Sequence, residues 1–172
     1  MKIRMVLAAL LCSVALASAQ SLFTATLDGA QDGGGARTGS GFISGTLNGT
    51  TFSFTGTFSG LSGTVNNGGF HIHGPAPQTV PIQSAGILYF LYPTMTLNPD
   101  NRSGSMNGSI TLTSQHIDYL NQSLLYFNIH TSTFGGGEIR GQIIPVPEPS
   151  TWALMGMGAT GLLWMVRRRA TK

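Results

Sequence analysis

The sequence predicts an all-β domain built as an antiparallel β-sandwich, and three features of the chain indicate it. Apolar and polar residues alternate with a period of two along several segments between residues 20 and 146. Glycine, asparagine and aspartate separate these segments, and 24 of the 172 residues are glycine, which suits turns that need positive φ angles. The segments are also short and closely spaced, which is typical of a sandwich or a barrel.

The alternating segments place large apolar residues on one strand face and threonine, serine or asparagine on the other. They cover 23–27, 52–58, 106–112 and 125–129. A continuous apolar run at 87–91 predicts a strand that is buried on both faces. Residues 114–123 predict the one short helix, in which Ser114 is the N-cap while Ile117 and Leu120 face inward. We expect about seven to nine strands. The predicted core comprises Phe52, Phe54, Phe58, Ile110, Leu112, Phe127, Ile129 and Ile139.

Charge is scarce and unevenly distributed along the chain. Only 9% of the residues are charged, whereas soluble domains contain about 25%. Residues 20–146 hold three arginines against five acidic residues, so the formal net charge of +3 comes from the two ends. This distribution excludes a basic nucleic-acid-binding domain. The central stretch is long enough for a single hydrophobic core, which predicts one domain.

The first 19 residues have the three parts of a secretory signal peptide. Lys2 and Arg4 precede an apolar stretch, and residues 17–19 read ASA, a pattern of small residues that signal peptidase cleaves. We expect the mature chain to begin at Gln20. The single cysteine, Cys12, lies within the predicted signal peptide, so we expect no disulfide in the mature chain.

The C-terminal end also has three parts. Residues 146–150 read VPEPS, an uncharged apolar stretch follows at 151–166, and a basic tail occupies 167–172. This arrangement resembles the PEP-CTERM sorting signal of Gram-negative bacteria. The resemblance implies that an exosortase, a membrane-embedded protease or transpeptidase, recognises a motif and removes the tail. The motif residues are Pro147, Glu148 and Pro149.

The apolar stretch at 151–166 predicts a transient membrane anchor. As a helix it would span about 24 Å, slightly less than a hydrocarbon core of about 30 Å. By the positive-inside rule, the basic cluster Arg167, Arg168 and Arg169 stays in the cytoplasm. We therefore expect export across the inner membrane, transient anchoring, and delivery to the cell surface or the extracellular space.

Two strings in the central region are more specific than the strand pattern. Residues 70–76 read FHIHGPA, and YFNIHT at 126–131 is followed by GEIRGQ at 137–142. Together with GAQ at 29–31, they resemble the CHRD domain, which was first named for chordin. The chain departs from the family pattern at 32–35, where it reads DGGG. The resemblance implies an immunoglobulin-like or superoxide-dismutase-like β-sandwich and no established enzymatic activity.

Alternate positions in these strings bring polar residues to one face if three strands are neighbours. The predicted polar cluster comprises His71, His73, Asn128, His130, Glu138 and Arg140. One interpretation is a Zn²⁺ or Cu²⁺ site, since imidazole is a common ligand of both ions. The interpretation favoured by sequence alone is structural, with Glu138 and Arg140 pairing with each other and with neutral histidines. A His-x-His pair is a weak metal signal, and the neighbouring arginine disfavours a cation. His116 is expected to be exposed.

The sequence offers no other recognisable site. It has no Gly-x-Ser-x-Gly nucleophile motif, and the glycine-rich stretch after residue 28 lacks the context of a phosphate-binding loop. Asp28 and Asp32 are candidate weak Ca²⁺ ligands, although two carboxylates in a loop are more simply explained as solvated. We therefore expect no catalytic residues and no cofactor.

The sequence thus favours a non-enzymatic, exported module of the cell surface or extracellular matrix. Its expected partners are signal peptidase, exosortase and the membrane during export, with a matrix component or carbohydrate afterwards. The alternatives are a metal-dependent oxidoreductase, and a carbohydrate- or protein-binding module that uses Tyr89, Phe90 and Tyr92. The expected divisions are a signal peptide at 1–19, a CHRD domain at 20–144, and a sorting signal at 145–172, with its motif at 147–149, its helix at 151–166 and its tail at 167–172.

Overall fold

The computed structural model describes residues 20–33, 37–79 and 83–147, together with the single positions 158, 160 and 167. The elements of the body are β1 (Ser21–Asp28), β2 (Ser40–Asn48), β3 (Thr51–Ser59), β4 (Val65–His73), β5 (Ile87–Phe90), β6 (Met95–Leu97), β7 (Gly104–Thr111), α1 (Ser114–Asn121), β8 (Tyr126–Thr131), β9 (Ile139–Gln142) and β10 (Ile144–Pro145). Short 3₁₀ turns occupy Ala30–Asp32 and Tyr92–Thr94. The prediction of an all-β domain with one short helix is confirmed for this part of the chain.

The strands form one antiparallel sheet in the order β5-β4-β8-β9-β1-β2-β3-β7-β6, and β10 pairs with β1. The hairpins β1–β2 and β2–β3 and the β3–β7 pair have continuous registers that cover nearly the full strand lengths. This half of the sheet contains the regularly alternating sequence, because each of its strands has one buried face and one solvated face.

A sandwich of two separate sheets was expected, but the structure has a single continuous sheet. The two halves are joined where Asp28 of β1 pairs with Arg140 of β9. Two further pairs, Phe23 with Pro145 and Thr24 with Ile144, tie β10 to the same strand. A sandwich would have an open edge between these strands. Here backbone pairing continues across the junction of β1 and β9, which we call the β1–β9 seam.

The sheet curls over itself and encloses an aromatic core. The rings of Phe54 on β3 and Phe70 on β4 lie 6.3 Å apart, although the two strands are far from each other in the sheet order. Phe127 on β8 packs against both, with ring centroids at 5.6 and 5.7 Å. The two inner faces thus meet as the layers of a sandwich do.

Most of the predicted core residues are buried: Phe52, Phe54, Phe58, Leu112, Phe127, Ile129 and Ile139. Ile110 is only partly buried and packs at the margin of the core. The prediction of a doubly buried strand at 87–91 is wrong. This stretch supplies β5, which is an outermost strand paired only with β4, so that Phe90 is 71% exposed while Leu91 is buried.

The N-cap of the helix lies one residue earlier in the chain than predicted. Thr113, not Ser114, is the N-cap, and its hydroxyl accepts a hydrogen bond from the His116 amide at 3.2 Å. Leu120 is buried and Ile117 is partly buried against the core. His116 is partly buried rather than exposed, since its Nδ1 lies 2.6 Å from the Tyr89 hydroxyl.

The terminal segments fall largely outside the described residues. The predicted signal peptide at 1–19, the motif residues Glu148 and Pro149, and most of the segment 151–166 are among them. Among the residues that the structure does describe, no helix has the length and apolar character required to cross a bilayer.

Candidate functional site

A second buried layer lies on the outer face of β4, β8 and β9. Phe70, Ile72 and Phe127 point into the core, so the residues that alternate with them point outward. The register sets His71 opposite Asn128, and Asn128 opposite Arg140. Adjacent loops cover these polar residues: Asn128, Arg140, Gln142 and both β4 histidines are at most 7% exposed.

Polar contacts with backbone hold the covering loops in place. Gln142 donates from Nε2 to the carbonyl of Ala76 at 2.8 Å, and Asn128 donates from Nδ2 to the carbonyl of Gly136 at 3.3 Å. The Tyr126 hydroxyl accepts a hydrogen bond from the Ala85 amide at 3.0 Å. The main chain of these loops therefore covers the outer face of β4, β8 and β9.

Three histidines converge beneath this cover. His71, His73 and His130 each offer one ring nitrogen, and these nitrogens lie within 4.8 Å of one another. The Nε2 atoms of His73 and His130 are 3.4 Å apart. The sequence-predicted residues Asn128 and Arg140 flank this group on β8 and β9 through their register positions.

Backbone carbonyls determine the tautomer of two of these histidines. Nδ1 of His73 lies 3.0 Å from the carbonyl oxygen of Ala85, and Nδ1 of His130 lies 2.9 Å from that of Gly135. A carbonyl oxygen only accepts, so each Nδ1 carries the proton and donates it. In the neutral rings, each Nε2 then presents a lone pair.

The third histidine is buried without a well-formed hydrogen bond. Neither ring nitrogen of His71 has a partner of good geometry among the described residues. Burial, followed by the charges of His130 and His73, lowers the His71 pKa to about 4, although the Gly68 backbone acts in the opposite direction. Burial also lowers the pKa of His73, against the effect of its bond to Ala85. Both rings are neutral at pH 7.

Tyr126 separates the histidines from the buried guanidinium of Arg140. The His73 ring stacks on Tyr126 with centroids 5.1 Å apart and planes 14° apart. Arg140 Cζ lies 3.5 Å from the Tyr126 centroid, and Nη1 donates to the Gln83 carbonyl at 2.7 Å. Because β8 lies between β4 and β9, the two groups contact opposite sides of the tyrosine.

Asp32 is an acidic residue whose negative charge acts on the buried guanidinium of Arg140. Burial lowers the Arg140 pKa, while the charges of Tyr126 and Asp32 raise it. The Asp32 pKa is raised by burial, against the opposing charges of Arg37, Arg140 and His130. Asp32 Oδ2 also lies 3.8 Å from Arg37 Nε. Asp28 instead accepts two hydrogen bonds from Gln31, so the two candidate calcium ligands have separate roles.

Glu138 does not pair with Arg140 as the sequence interpretation had it. Its carboxylate accepts hydrogen bonds from the Ser62 amide at 2.5 Å, the Ser62 hydroxyl at 2.8 Å, the Gly63 amide at 3.2 Å and the Thr131 hydroxyl at 2.7 Å. The reason is local: Gly137 has φ of 134° and β9 begins only at Ile139. Strand alternation therefore does not extend back to Glu138.

Sequence reasoning left Tyr126 and Asp32 out of the cluster. Tyr126 shares its strand parity with Asn128 and His130, so the signal for it was present. Asp32 lies in a 3₁₀ turn, where neither a period of two nor a motif indicates which way a side chain points.

Replacing Tyr126 by phenylalanine tests whether the tyrosine hydroxyl holds the loop that contains Ala85 against the sheet. The change keeps the ring stack but removes the bond with Ala85, and we expect it to lower the free energy of unfolding by about 1–2 kcal/mol. Urea denaturation followed by far-UV circular dichroism measures this. The control is Tyr92→Phe, since the Tyr92 hydroxyl has no hydrogen bond with the described residues. An equal loss in both variants would contradict the assignment.

Comparison with known proteins gives two matches, which are separated by one residue along the chain. A family model described as the CHRD domain matches residues 23–143. A second, described as the PEP-CTERM protein-sorting motif, matches residues 145–169. No curated protein and no solved structure gave a significant match.

Proposed function

The chain belongs to the CHRD domain family and carries a PEP-CTERM protein-sorting motif, and from this we propose that it is an exported, exosortase-processed module of the cell surface or extracellular matrix. The observation that carries the proposal is the position of the sorting motif, whose match begins two residues after the domain match ends. The module serves as a structural or adhesive component and catalyses no reaction of its own.

The path of the two chain ends supports this topology. The Val146 amide donates to the Leu22 carbonyl at 2.8 Å, and Phe23 pairs with Pro145. The segments that precede and follow the domain therefore leave it side by side. Two membrane-directed segments can then enter one bilayer with Lys2, Arg4 and the cluster at 167–169 on its cytoplasmic side.

The same arrangement supports the divisions that we propose. Residues 1–19 direct export and are removed, residues 20–144 form the exported body, and residues 145–172 direct sorting. The apolar segment at 151–166 is the transient anchor in the inner membrane of a Gram-negative bacterium. In this proposal the curled sheet is a variant of the immunoglobulin-like or superoxide-dismutase-like sandwich, with its two layers joined at the β1–β9 seam.

The intact mass of the protein recovered from the cell surface or medium tests this proposal. We expect a chain that begins at Gln20 and ends close to the motif at 147–149. The signal peptide and the tail should both be missing. A surface-exposed form that still contains residues 151–166 would contradict the processing step.

A single substitution separates recognition of the motif from simple anchoring. We expect Glu148→Gln to leave the protein uncleaved at the inner membrane, because the amide lacks the charge that the enzyme would recognise. Ser150→Ala is the control, since it alters the residue that directly follows the motif without changing charge. Normal trimming of the Glu148→Gln variant would show that this carboxylate is not required.

A further inference from the structure

The three histidines on the outer face of the sheet do not satisfy one another by hydrogen bonding. The Nδ1 protons of His73 and His130 are already donated to Ala85 and Gly135. Their Nε2 lone pairs then face each other at 3.4 Å, which is longer than an ordinary hydrogen bond. His71 adds a buried ring without a well-formed bond. A neutral structural network does not explain this arrangement, because buried polar groups are normally paired.

We propose that His71, His73 and His130 bind one divalent transition-metal ion, either Zn²⁺ or Cu²⁺. Imidazole nitrogen is a preferred ligand of both ions, with metal–nitrogen distances of about 2.0–2.1 Å. Two nitrogens bound to one ion at tetrahedral angles are then about 3.4 Å apart, which equals the separation of the two Nε2 atoms. A rotation of the His71 side chain completes the set within the 4.8 Å cluster.

The surroundings have the features that orient metal-binding histidines. Such a histidine commonly donates its other ring proton to a backbone carbonyl, which fixes the tautomer and the ring plane. Ala85 and Gly135 supply these carbonyls from two different loops. His71 packs edge-on against Phe90, with ring centroids 4.9 Å apart, and this contact covers one side of the cluster.

The charges around the cluster are compatible with a bound cation. The charge of Arg140 contributes to lowering the His73 pKa, but its guanidinium lies over the Tyr126 ring and donates to the Gln83 carbonyl. The carboxylate of Asp32 lies close enough to affect both Arg140 and His130. His130 itself is only partly buried, so the ion can be reached from solvent. Three protein ligands leave a fourth position for water or another ligand.

Direct metal titration of the exported protein tests the proposal, and it does so independently of the sorting step. The protein is purified from the cell surface or medium, treated with EDTA, and titrated with ZnCl₂ and separately with CuSO₄ in a calorimeter. We expect one equivalent of at least one metal to bind and to raise the melting temperature. The Cu²⁺ form should show nitrogen hyperfine coupling from imidazole in its electron paramagnetic resonance spectrum.

Substitution of single histidines identifies the ligands. We expect His73→Asn and His130→Asn each to weaken binding by at least about 100-fold, since even loss of a residue that only supports a ligand costs about 10–100-fold. His116→Asn is the matched control, because the fourth histidine lies on α1 beside Tyr89, and it should bind as the wild type does. Far-UV circular dichroism verifies that each variant is folded.

Three results would overturn the proposal. The first is wild-type protein that binds neither metal at micromolar concentration. The second is binding that survives in folded His73→Asn and His130→Asn variants. The third is an electron paramagnetic resonance spectrum of the Cu²⁺ form that lacks hyperfine coupling from imidazole nitrogen. This measurement needs no variant, so it remains decisive if the substituted chains fail to fold.

Discussion

Truncation of Phe127 to alanine will lower the free energy of unfolding by about 3–5 kcal/mol. Phe127 is 1% exposed, and its ring lies within 6.5 Å of the rings of Phe52, Phe54 and Phe70. It therefore joins the aromatic residues of β3 to those of β4 across the curled sheet. Its removal leaves a cavity shared by both halves, and domains of this size have only about 5–15 kcal/mol of stability in total.

Urea denaturation of the exported protein, followed by far-UV circular dichroism, measures this loss. Tryptophan fluorescence is unsuitable because Trp152 and Trp164 both belong to the tail expected to be removed. The matched control is Phe42→Ala on β2, since the Phe42 side chain is 51% exposed, and we expect a change within about 0.5 kcal/mol. Similar losses in the two variants would contradict the assignment of Phe127 to the centre of the core.

Replacement of Glu138 by alanine will destabilise the fold by about 2–4 kcal/mol. The carboxylate is fully buried and accepts hydrogen bonds from Ser62, Gly63 and Thr131. Alanine leaves these donors buried without an acceptor. Glu138→Gln should cost less, because the amide oxygen can still accept. As a control, Asp118→Ala removes an exposed carboxylate on α1 and should leave the denaturation midpoint almost unchanged.

The same carboxylate makes the stability depend on pH. Burial alone would raise the Glu138 pKa, but the bonds from Ser62, Thr131 and Gly63 outweigh it, so that the pKa lies below its ordinary value of 4.5. The unfolded state therefore takes up a proton first as the pH falls. The contribution is complete above pH 4.5 and is lost as the pH falls through the lower folded-state value. We expect the difference between wild type and Glu138→Gln to shrink over that range; a constant difference would contradict this.

The sequence was most informative where one strand face is buried and the other is solvated. Phe52, Phe54 and Phe58 alternate with small polar residues along β3, and hydrophobic burial alone fixes which face points inward. The outer strands were harder to interpret. Residues 87–91 read as uniformly apolar, yet edge position depends on sheet order, which hydrophobicity does not encode.

The seam between the two halves of the sheet could not be predicted. The β1–β9 pairing has one pair of partners, Asp28 and Arg140, and the two residues are distant in sequence. Neither residue type has a strong strand preference. Such a pairing forms only when the two halves of the sheet pack together. The local sequence pattern therefore predicts a sandwich with separate sheets.

The candidate site was partly predictable for the same physical reasons. Strand alternation indicated that His71, His73 and His130 share a face, and the register brings them together. Two of the rings are oriented by the backbone carbonyls of Ala85 and Gly135. Every residue has such a carbonyl, so residue identity does not indicate this contact. Glu138 was misplaced because Gly137, with its positive φ, interrupts the alternation just before β9.

The two outermost strands of the sheet affect how copies of this protein behave when they are crowded together. An open sheet exposes unpaired backbone groups along both borders, and long flat borders lead to aggregation. Here β5 has four residues and β6 has three, so each border offers little backbone to a neighbouring copy. An unfolded chain that folds among many identical chains can therefore complete its sheet without readily adding strands from another molecule.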